Sequence, residues 1–350
     1  MAVDLSKLAV RRSITLDELS GKIVAIDAYN VLYQFLATIR QQDGTLLMDS
    51  EGNVTSHLSG LFYRTIDMVT HGIRPIYVFD GLPSVLKKKA LEARLKRREE
   101  AYSAWQDAVR RGDMGLARTK AQASTAVNKE IVGSAKELLR LMGVYIVNAP
   151  SEGEAQASEM CRKGVVDVVG SQDYDTLLLG APLIARNMTI SGRRKLPGKD
   201  VYIEVRPELI DLRETLEKLQ ISQQQLVWIG LMLGTDFNDG INGIGPVGAL
   251  KIARSAKSLS DIEAVVRTKY KSEFEIDPGE ITEMFERPEV DEIRKEDVNS
   301  GLELKPDMRG IIEFMCSRRG FSEGRIVKYA QRLVSLRGEA RQRGMGAWIG

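Results

Sequence analysis

Short β-rich runs alternate with helical patterns along the first half of the chain. Four such runs are "KIVAID" (22–27), "PIYVFD" (75–80), "VYIV" (144–147) and "VVDVVGS" (165–171). Strands that are separated by helices usually pair in parallel, because a parallel connection needs a long crossover. The sequence therefore predicts an α/β fold with a mainly parallel, twisted sheet.

Carboxylates follow these runs at one repeated position. The first two runs end in Asp27 and Asp80, and the fourth leads to Asp173 and Asp175. Ligand sites of open α/β sheets lie at the carboxyl ends of the strands, so these side chains are expected at one edge. In an extended segment, Asp173 and Asp175 would point to the same face. Each of them taken alone is more often a helix N-cap or a turn residue.

Three more acidic residues are candidates for the same site. Glu152 and Glu154 follow the third run in "NAPSEGEAQ", and Asp236 follows an apolar helix in "LMLGTDFNDG". Ser151 and Glu154 also form a capping-box pattern, which would give Glu154 a structural role instead. No His or Cys pattern accompanies them, so the site is expected to bind Mg²⁺ or Mn²⁺. The predicted metal ligands are Asp27, Asp80, Glu152, Glu154, Asp173, Asp175 and Asp236.

A polyanion is the expected substrate of such a site. Two divalent ions about 4 Å apart stabilise the attacking and leaving oxygens of a phosphoryl transfer. The segment after Asp80 is basic, and we expect it to contact nucleic acid, although a charge run is more often a solvated helix face. Its basic residues are Lys87, Lys88, Lys89, Arg94, Lys96, Arg97, Arg98, Arg110, Arg111, Arg118 and Lys120.

A second candidate for phosphate binding is the stretch "INGIGPVGALKIARS" (241–255). Gly243 and Gly245 form a tight loop that opens a helix, and a helix N-terminus presents free backbone N–H groups to phosphate oxygens. Lys251 and Arg254 lie along that helix. A glycine-rich loop between helices is often only a turn, and this alternative stays open.

Five blocks of the sequence together resemble the signature blocks of the flap endonucleases, within the structure-specific 5′ nucleases. The blocks are "AIDAYNVLYQFL", "PIYVFDGLPSVLKKKALEAR", "APSEGEAQ", "SQDYDTLL" and "LGTDFNDGINGIGP", in the order of the family. The resemblance implies a PIN-like core, a helical arch over the active site and a helix-hairpin-helix element that holds duplex DNA through K⁺. It implies a Mg²⁺-dependent endonuclease and 5′–3′ exonuclease that removes 5′ flaps from branched DNA in replication and repair.

The resemblance also implies roles for the residues of the acidic site. Four carboxylates would serve a first metal ion: Asp27, Asp80, Glu152 and Glu154. Three would serve a second ion: Asp173, Asp175 and Asp236. Lys87 and Arg94 match the basic residues of the family that contact the scissile phosphate, and they are the predicted catalytic side chains.

Further residues match DNA-binding positions of the family. Tyr33 matches an aromatic residue on which a base stacks, although from the sequence alone it would be placed in the core. A pocket for a one-nucleotide 3′ flap is matched by Thr55, Phe321, Ser322, Glu323 and Arg325. The other predicted DNA contacts are Arg40, Lys88, Arg97, Arg98, Gly243, Gly245 and Lys251.

The last nine residues, "QRGMGAWIG", resemble a motif that binds the sliding clamp PCNA. The matching residues are Gln342, Met345, Trp348 and Ile349, with Ile349 in place of the usual second aromatic. One turn of helix would place the three apolar residues on one side, ready for a hydrophobic pocket. A disordered end is the alternative, but such an end gains nothing by carrying large apolar groups.

The motifs divide the chain into overlapping regions. We predict an N-terminal nuclease region (1–98), the remainder of an arch that spans about 82–130 (99–130), an internal nuclease region that ends in the hairpin (116–258), a C-terminal helical region (259–335) and a flexible tail with the clamp motif (336–350).

Composition restricts the class of protein. With 350 residues, 43% of them hydrophobic and 28% charged, the chain matches an ordinary globular protein, and we expect a monomer. Cys161 and Cys316 lack metal-type spacing, which indicates a reducing compartment, cytoplasmic in a prokaryote or nuclear in a eukaryote. No apolar run reaches the length of a transmembrane helix.

Four other functions stay open. A related 5′ exonuclease or a junction resolvase is disfavoured by the short arch and the C-terminal tail. A PIN-type ribonuclease is disfavoured because the hairpin suits duplex DNA. A non-catalytic DNA-binding clamp adaptor is disfavoured because all seven carboxylates are present.

Overall fold

A seven-stranded sheet forms the centre of the computed structural model, which describes residues 3–84, 87–189, 192–195 and 202–346. The strands are β1 Arg11–Ser13, β2 Ile23–Asp27, β3 Arg74–Phe79, β4 Ile146–Asn148, β5 Val168–Gly170, β6 Leu183–Arg186, β7 Gly192–Lys195, β8 Tyr202–Val205 and β9 Glu208–Asp211. The order across the sheet is β1-β9-β6-β5-β2-β3-β4, and β7 pairs with β8 separately.

The central strands β6, β5, β2, β3 and β4 pair in parallel, while β9 pairs antiparallel with β6 and β1. Every residue of β2 and β5 is buried, as expected where helices cover both faces of a parallel sheet. The predicted α/β fold with a mainly parallel sheet is confirmed. Strand β4 begins two residues later than the predicted run "VYIV" (144–147), because Val144 is still in the turn that ends the preceding helix.

Helices surround the sheet, and the two that lie within the predicted arch segment, α3 and α4, are called the arch below. They are α1 Ala28–Thr38, α2 Ser56–Thr70, α3 Lys88–Arg110, α4 Met114–Ala123, α5 Lys129–Leu141, α6 Gly153–Arg162, α7 Asp175–Leu178, α8 Leu212–Leu219, α9 Gln223–Leu233, α10 Pro246–Ser255, α11 Leu259–Tyr270, α12 Pro278–Glu286, α13 Lys295–Leu302, α14 Met308–Ile312 and α15 Glu323–Gly346. None of the described helices is long and apolar enough to cross a membrane.

Two hydrophobic cores lie on opposite faces of the sheet. Side chains of a strand alternate between the faces, so Ala25 joins one core and its neighbours Val24 and Ile26 join the other. The first core packs against α6 and α9, and the second packs against α1, α2, α5 and α15. The carboxyl ends of the parallel strands are therefore held rigidly from both sides.

The C-terminal helix reaches into the predicted tail. The sequence predicted a flexible tail over 336–350, and in the structure α15 continues to Gly346, so residues 336–346 are helical. Leu333 is buried and Leu336 packs against the second core, which fixes this part of the helix. An isolated glycine costs a helix only about 1 kcal/mol, so the glycines here do not end it.

Candidate active site

Asp27 and Asp80 lie at the carboxyl ends of the adjacent strands β2 and β3. Asp27 is the N-cap of α1, where its Oδ1 accepts a hydrogen bond from the backbone N–H of Asn30 at 3.1 Å. Asp80 accepts from the N–H of Gly153, the first residue of α6, at 2.7 Å. Both carboxylates therefore have a structural role as well as a place at the predicted edge.

The structure does not contain the predicted capping box of Ser151 and Glu154. Glu152 is the N-cap of α6, its side chain makes no capping bond, and Asp80 satisfies the helix start instead. Because Glu154 does not cap the helix, its side chain lies at the sheet edge, where its Oε1 accepts a hydrogen bond from the hydroxyl of Ser171 at 2.5 Å.

Asp173 and Asp175 reach the site from a turn and a helix start, so the expectation of an extended segment is wrong. β5 ends at Gly170, and Asp175 is the first residue of the short helix α7. Asp173 Oδ2 accepts from the side-chain amide of Asn30 at 3.0 Å, and Asp175 Oδ1 accepts from the N–H of Val3 at 2.9 Å. Turn geometry, rather than strand alternation, brings the two carboxylates together.

Burial and mutual repulsion act on five of the carboxylates. Burial raises the pKa of Asp80 to about 6 and that of Asp175 to about 7. Burial, and then the charge of Asp80, raises the pKa of Asp27 well above its usual range. The pKa of Glu154 is raised by burial and by Asp173, and the pKa of Asp173 is raised by burial and by Asp236. Such a group of acids requires nearby cations in order to stay ionised.

Two cations from the base of the arch lie among these acids. Lys87 Nζ donates to Glu152 and lies 3.4 Å from Oδ2 of Asp236, and the guanidinium of Arg94 donates to Asp236. Burial alone would raise the pKa of Asp236, but the charges of Lys87 and Arg94 outweigh it and lower that pKa to about 2. Lys87 also lies 5.0 Å from the ring centroid of Phe237.

The donor set fits a hard divalent cation. All seven predicted ligands are carboxylates, and the pKa values of Asp27, Asp80, Glu154, Asp173 and Asp175 are raised by burial and by neighbouring acids. Among the described residues, no three acidic, His or Cys side chains are arranged as they stand to hold a metal ion. Lys87 and Arg94 account for part of this, because they hold Glu152 and Asp236 in ion pairs. The chemistry of the ligands therefore fits, and the ion pairs must rearrange for binding.

Predicted DNA contacts on α1 and α3 meet at Tyr33. The hydroxyl of Tyr33 accepts from Arg98 Nη2 at 2.7 Å, and the guanidinium carbon of Arg98 lies 5.1 Å from the Tyr33 ring centroid. Tyr33 is half-buried rather than in the core. Arg97 is exposed, and the side chain of Lys88 lies outside the described residues. These DNA contacts stay predictions.

Two other predicted DNA contacts face the protein itself: Arg40 makes hydrogen bonds within it, and Thr55 is buried. Arg40 donates to three internal acceptors, the carbonyl oxygens of Leu36 and Gly44 and the hydroxyl of Thr125. Thr55 is 5% exposed, so little of its side chain is available at the surface. A DNA contact by Thr55 therefore requires this part of the protein to rearrange, whereas Arg40 is half-buried and stays a predicted contact.

The predicted helix-hairpin-helix consists of α9, a loop and α10. Gly243 has φ +85°, which only glycine adopts without strain, and Gly245 is the N-cap that exposes the start of α10. Lys251 is exposed on α10, whereas Arg254 donates to the carbonyl oxygen of Leu219 at 2.8 Å.

The predicted 3′-flap pocket and clamp motif lie near the two ends of α15. Phe321 packs partly against the second core just before the helix, and Arg325 is exposed in its first turn. Gln342 and Met345 belong to the last turns of the helix. Trp348 and Ile349, the other two residues of the predicted motif, lie outside the described residues.

Sequence reasoning missed the groups that orient the carboxylates. Asn30 donates to Asp173, Ser171 donates to Glu154, and the backbone N–H of Val3 donates to Asp175. A signal existed for two of them, because Asn30 lies three residues after Asp27 and Ser171 directly follows a buried strand. Position alone, however, does not distinguish an orienting donor from a turn residue.

Buried carboxylates at the carboxyl edge of a parallel sheet, together with Lys and Arg, define the class of metal-dependent phosphoryl-transfer enzymes. Comparisons with known proteins identify the family within that class. The XPG N-terminal domain matches residues 3–101, and the XPG I-region matches residues 143–236. The chain is 47% identical to flap endonuclease 1 of Thermococcus onnurineus over 354 residues, covering 100% of this chain and 99% of the relative. It is 46% identical to that of Pyrococcus furiosus over 351 residues, covering 100% and 99%.

The chain therefore belongs to the flap endonuclease 1 family, and nucleases of this XPG group depend on metal ions. The solved structure of flap endonuclease-1 from Methanococcus jannaschii matches with a TM-score of 0.74 and 37% identity, covering 97% of this chain and 99% of that one. The catalytic core of Rad2, solved in complex with a DNA substrate, matches with a TM-score of 0.68 at 22% identity and covers 95% and 100%, which shows a shared fold.

Proposed function

We propose that this chain is a structure-specific nuclease that hydrolyses a phosphodiester at the base of 5′ flaps in branched DNA, in replication, including Okazaki fragment maturation, and in repair. It also degrades DNA from 5′ ends. The carboxylates at the edge of the sheet, with Lys87 and Arg94 in ion pairs among them, carry this proposal. The match to flap endonuclease 1 over the whole chain supports the choice of substrate.

The metal of the site is Mg²⁺, for which Mn²⁺ can substitute, with two ions per chain. The first ion would be held by Asp27, Asp80, Glu152 and Glu154, and the second by Asp173, Asp175 and Asp236. When bound, such ions supply an activated water and offset the negative charge of the phosphodiester. Carboxylate oxygens are the ligands that these cations prefer, and the crowding of acids around Glu154 and Asp175 supports the proposal because a divalent ion would offset it.

Lys87 and Arg94 stabilise the negative charge that develops on the scissile phosphate. Both already lie in the acidic pocket, on Glu152 and Asp236, so a phosphate that enters the pocket meets them at short range. The exchange of a carboxylate partner for a phosphate partner keeps each cation paired throughout. Asn30 and Ser171 keep the carboxylates oriented while this exchange occurs.

The remaining surfaces hold the branched DNA. The hairpin around Gly243 and Gly245 binds the phosphate backbone of the duplex through its backbone N–H groups, with K⁺ as a bridging ion. Tyr33 offers a ring for a base, with Arg98 above it. A pocket for a one-nucleotide 3′ flap is formed around Phe321 and Arg325.

The C-terminal segment binds the sliding clamp PCNA, and the enzyme acts as a monomer. Four residues of the motif carry this proposal: Gln342, Met345, Trp348 and Ile349. The helix α15 supports it, because Gln342 and Met345 of the motif belong to the same helix that packs against the second core through Leu333 and Leu336.

A cleavage assay on a set of branched substrates tests the proposed function. A 5′-labelled double-flap DNA is compared with nicked, gapped and four-way DNA of the same sequence, each with Mg²⁺ or with EDTA. We expect rapid Mg²⁺-dependent cleavage at the base of the flap and much slower cleavage of the other substrates. Preferred cleavage of the four-way DNA would favour a junction resolvase, and binding without cleavage would favour a clamp adaptor.

A further inference from the structure

A tight loop after α1 lies beside the arch. Residues 40–46, which we name the latch loop, are closed by a β-bridge between Arg40 and Leu46. The N–H of Gln41 donates to the carbonyl oxygen of Thr45 at 2.8 Å, and Gly44 has φ +87°. The bridge and this hydrogen bond therefore close the loop on itself.

The latch loop contacts both helices of the arch. Trp105 Nε1, on α3, donates to the carbonyl oxygen of Asp43 at 3.0 Å. Arg40 joins the loop to the end of α4, since it donates to the carbonyl oxygen of Gly44 at 2.7 Å and to Thr125 Oγ1 at 2.9 Å. The arch is thus attached to the core at a point well beyond its own base.

Gly44 allows this close approach. A Cβ at Gly44 would lie 2.7 Å from the Cβ of Ala121, 3.3 Å from the carbonyl oxygen of Ala117 and 3.3 Å from Trp105 Nε1. Ala117 and Ala121 are both fully buried on α4. Small residues on the helix and a glycine in the loop therefore let the two backbones pack directly together.

The core-facing side of α3 connects the latch loop to the acidic pocket. Its residues are spaced by three or four, which places them on one face of a helix: Arg94, Arg98, Ala101, Trp105 and Ala108. Ala101 and Ala108 are buried, while much of the rest of the helix is exposed. Trp105 lies eleven residues after Arg94, about 17 Å along the axis at 1.5 Å per residue.

We infer that Trp105 is a positioning residue, whose hydrogen bond to the latch loop fixes the arch so that Lys87 and Arg94 lie in the acidic pocket. This inference rests on the proposed function, because it concerns the same two cations. α3 is strongly basic, and among its described side chains few apolar ones are buried, so we expect a small number of polar contacts to decide where it lies. Trp105 supplies one of these contacts at the far end of the helix, and Arg98 supplies another nearer the pocket.

The replacement Trp105→Phe removes the indole N–H and keeps an aromatic ring beside Tyr102, which it contacts at 5.5 Å between centroids. Trp228→Phe is the matched control, because in the described part of the chain the buried indole N–H of Trp228 has no hydrogen-bond partner. Hydrogen–deuterium exchange on the free protein is the first measurement. We expect the amides of α4 to exchange about fivefold faster in Trp105→Phe, the shift that one lost hydrogen bond produces, and at the parent rate in Trp228→Phe.

Single-turnover cleavage at saturating enzyme is the second measurement. We expect Trp105→Phe to slow cleavage by up to about fivefold while the affinity for flap DNA changes little. The same replacement in a Lys87→Ala background should have almost no further effect on the rate, because the group that it positions is already missing. Gly44→Ala forces the latch loop away from α4. It should therefore speed the amide exchange of α4 and slow cleavage more than Trp105→Phe does.

Each outcome decides the inference. If the amides of α4 exchange at the parent rate in both Trp105→Phe and Gly44→Ala, the latch loop does not hold the arch in place. Faster exchange with an unchanged cleavage rate, or an equal slowing in the Lys87→Ala background, overturns the positioning role. A parent protein that does not cleave flap DNA contradicts the proposed function instead, and the exchange data remain a separate result.

Discussion

The acidic pocket and the arch meet at Lys87 and Arg94, but different forces hold them in place. The carboxylates of the pocket lie on strand ends and helix starts between two hydrophobic cores, and Asp27 and Asp175 are only 5% and 7% exposed. The arch is a charged helix pair that reaches the core through contacts such as Arg98 with Tyr33 and Trp105 with the latch loop. A rigid core can hold like charges together, whereas a helix attached by few contacts can move.

This difference determines which unfavourable electrostatic energy each region contains. In the pocket, burial and then the charges of neighbouring acids raise the pKa values of Asp80 and Asp175, and the packing around β2 and β5 offsets the cost of holding these carboxylates there. The arch has an excess of positive charge. At its base, Lys87 pairs with Glu152 and Arg94 pairs with Asp236, and these ion pairs offset the excess charge of both regions.

The largest expected effect comes from the pocket. Asp175→Asn should slow flap cleavage by at least about 10³-fold, since it removes a predicted metal ligand while the amide oxygen can still accept from Val3. Binding of flap DNA should change little. Single-turnover rates in Mg²⁺ check this, with the exposed Asp17→Asn as a control that should cleave at the parent rate. Cleavage by Asp175→Asn at the parent rate would show that the two-metal assignment is wrong.

The base of the arch should give the next effect. Lys87→Ala should slow the chemical step by roughly 10²–10³-fold, the usual loss when one well-placed charge stabiliser is removed. Lys120→Ala, on α4 and away from the pocket, should instead weaken DNA binding and reduce the salt slope by about 1. Single-turnover rates and salt titrations separate the two variants. Equal effects of both on rate and affinity would mean that the arch is a general basic surface.

The same substitution in the pocket should have the opposite effect on stability: we expect it to raise the free energy of unfolding. The folded pKa of Asp175 is about 7, above its usual 3.8, so its ionisation destabilises the fold increasingly as the pH rises through this range. At pH 8 without metal, Asp175→Asn should therefore be more stable than the parent by about 1–3 kcal/mol. Adding Mg²⁺ should stabilise the parent more than the variant. Thermal unfolding with EDTA and with Mg²⁺ measures both, and a less stable variant in EDTA would contradict the conclusion that the buried charge of Asp175 destabilises the fold.

The smallest effect on basal cleavage is expected at the end of the chain. Trp348→Ala should abolish binding to the sliding clamp and stimulation by it, while clamp-free cleavage of a flap stays unchanged. Calorimetry with the clamp and cleavage with and without the clamp give the two readouts. Clamp binding as tight as that of the parent, or a loss of basal cleavage, would remove the proposed role of the tail.

Much of the candidate site followed from positions along the sequence. Asp27 and Asp80 end buried strands, and Asp236 follows an apolar helix, so a parallel sheet brings the first two to one edge by its geometry alone. The details of the neighbouring residues were not predictable in this way. Asp173 and Asp175 meet through a turn, and Glu154 is released from capping because Asp80 caps α6 from another strand.

The sequence by itself determined the alternation of strands and helices, the positions of the acidic residues and the basic character of the arch, because these depend on local periodicity and residue type. Only the tertiary structure decided which donors orient the carboxylates, that Arg40 donates to Thr125, and that Trp105 and the latch loop at Gly44 lie in contact. Trp105 and Asp43 are separated by 62 residues, and Asn30 and Asp173 by 143. Contacts over such separations depend on how whole elements pack, and residue type at one position does not encode that packing.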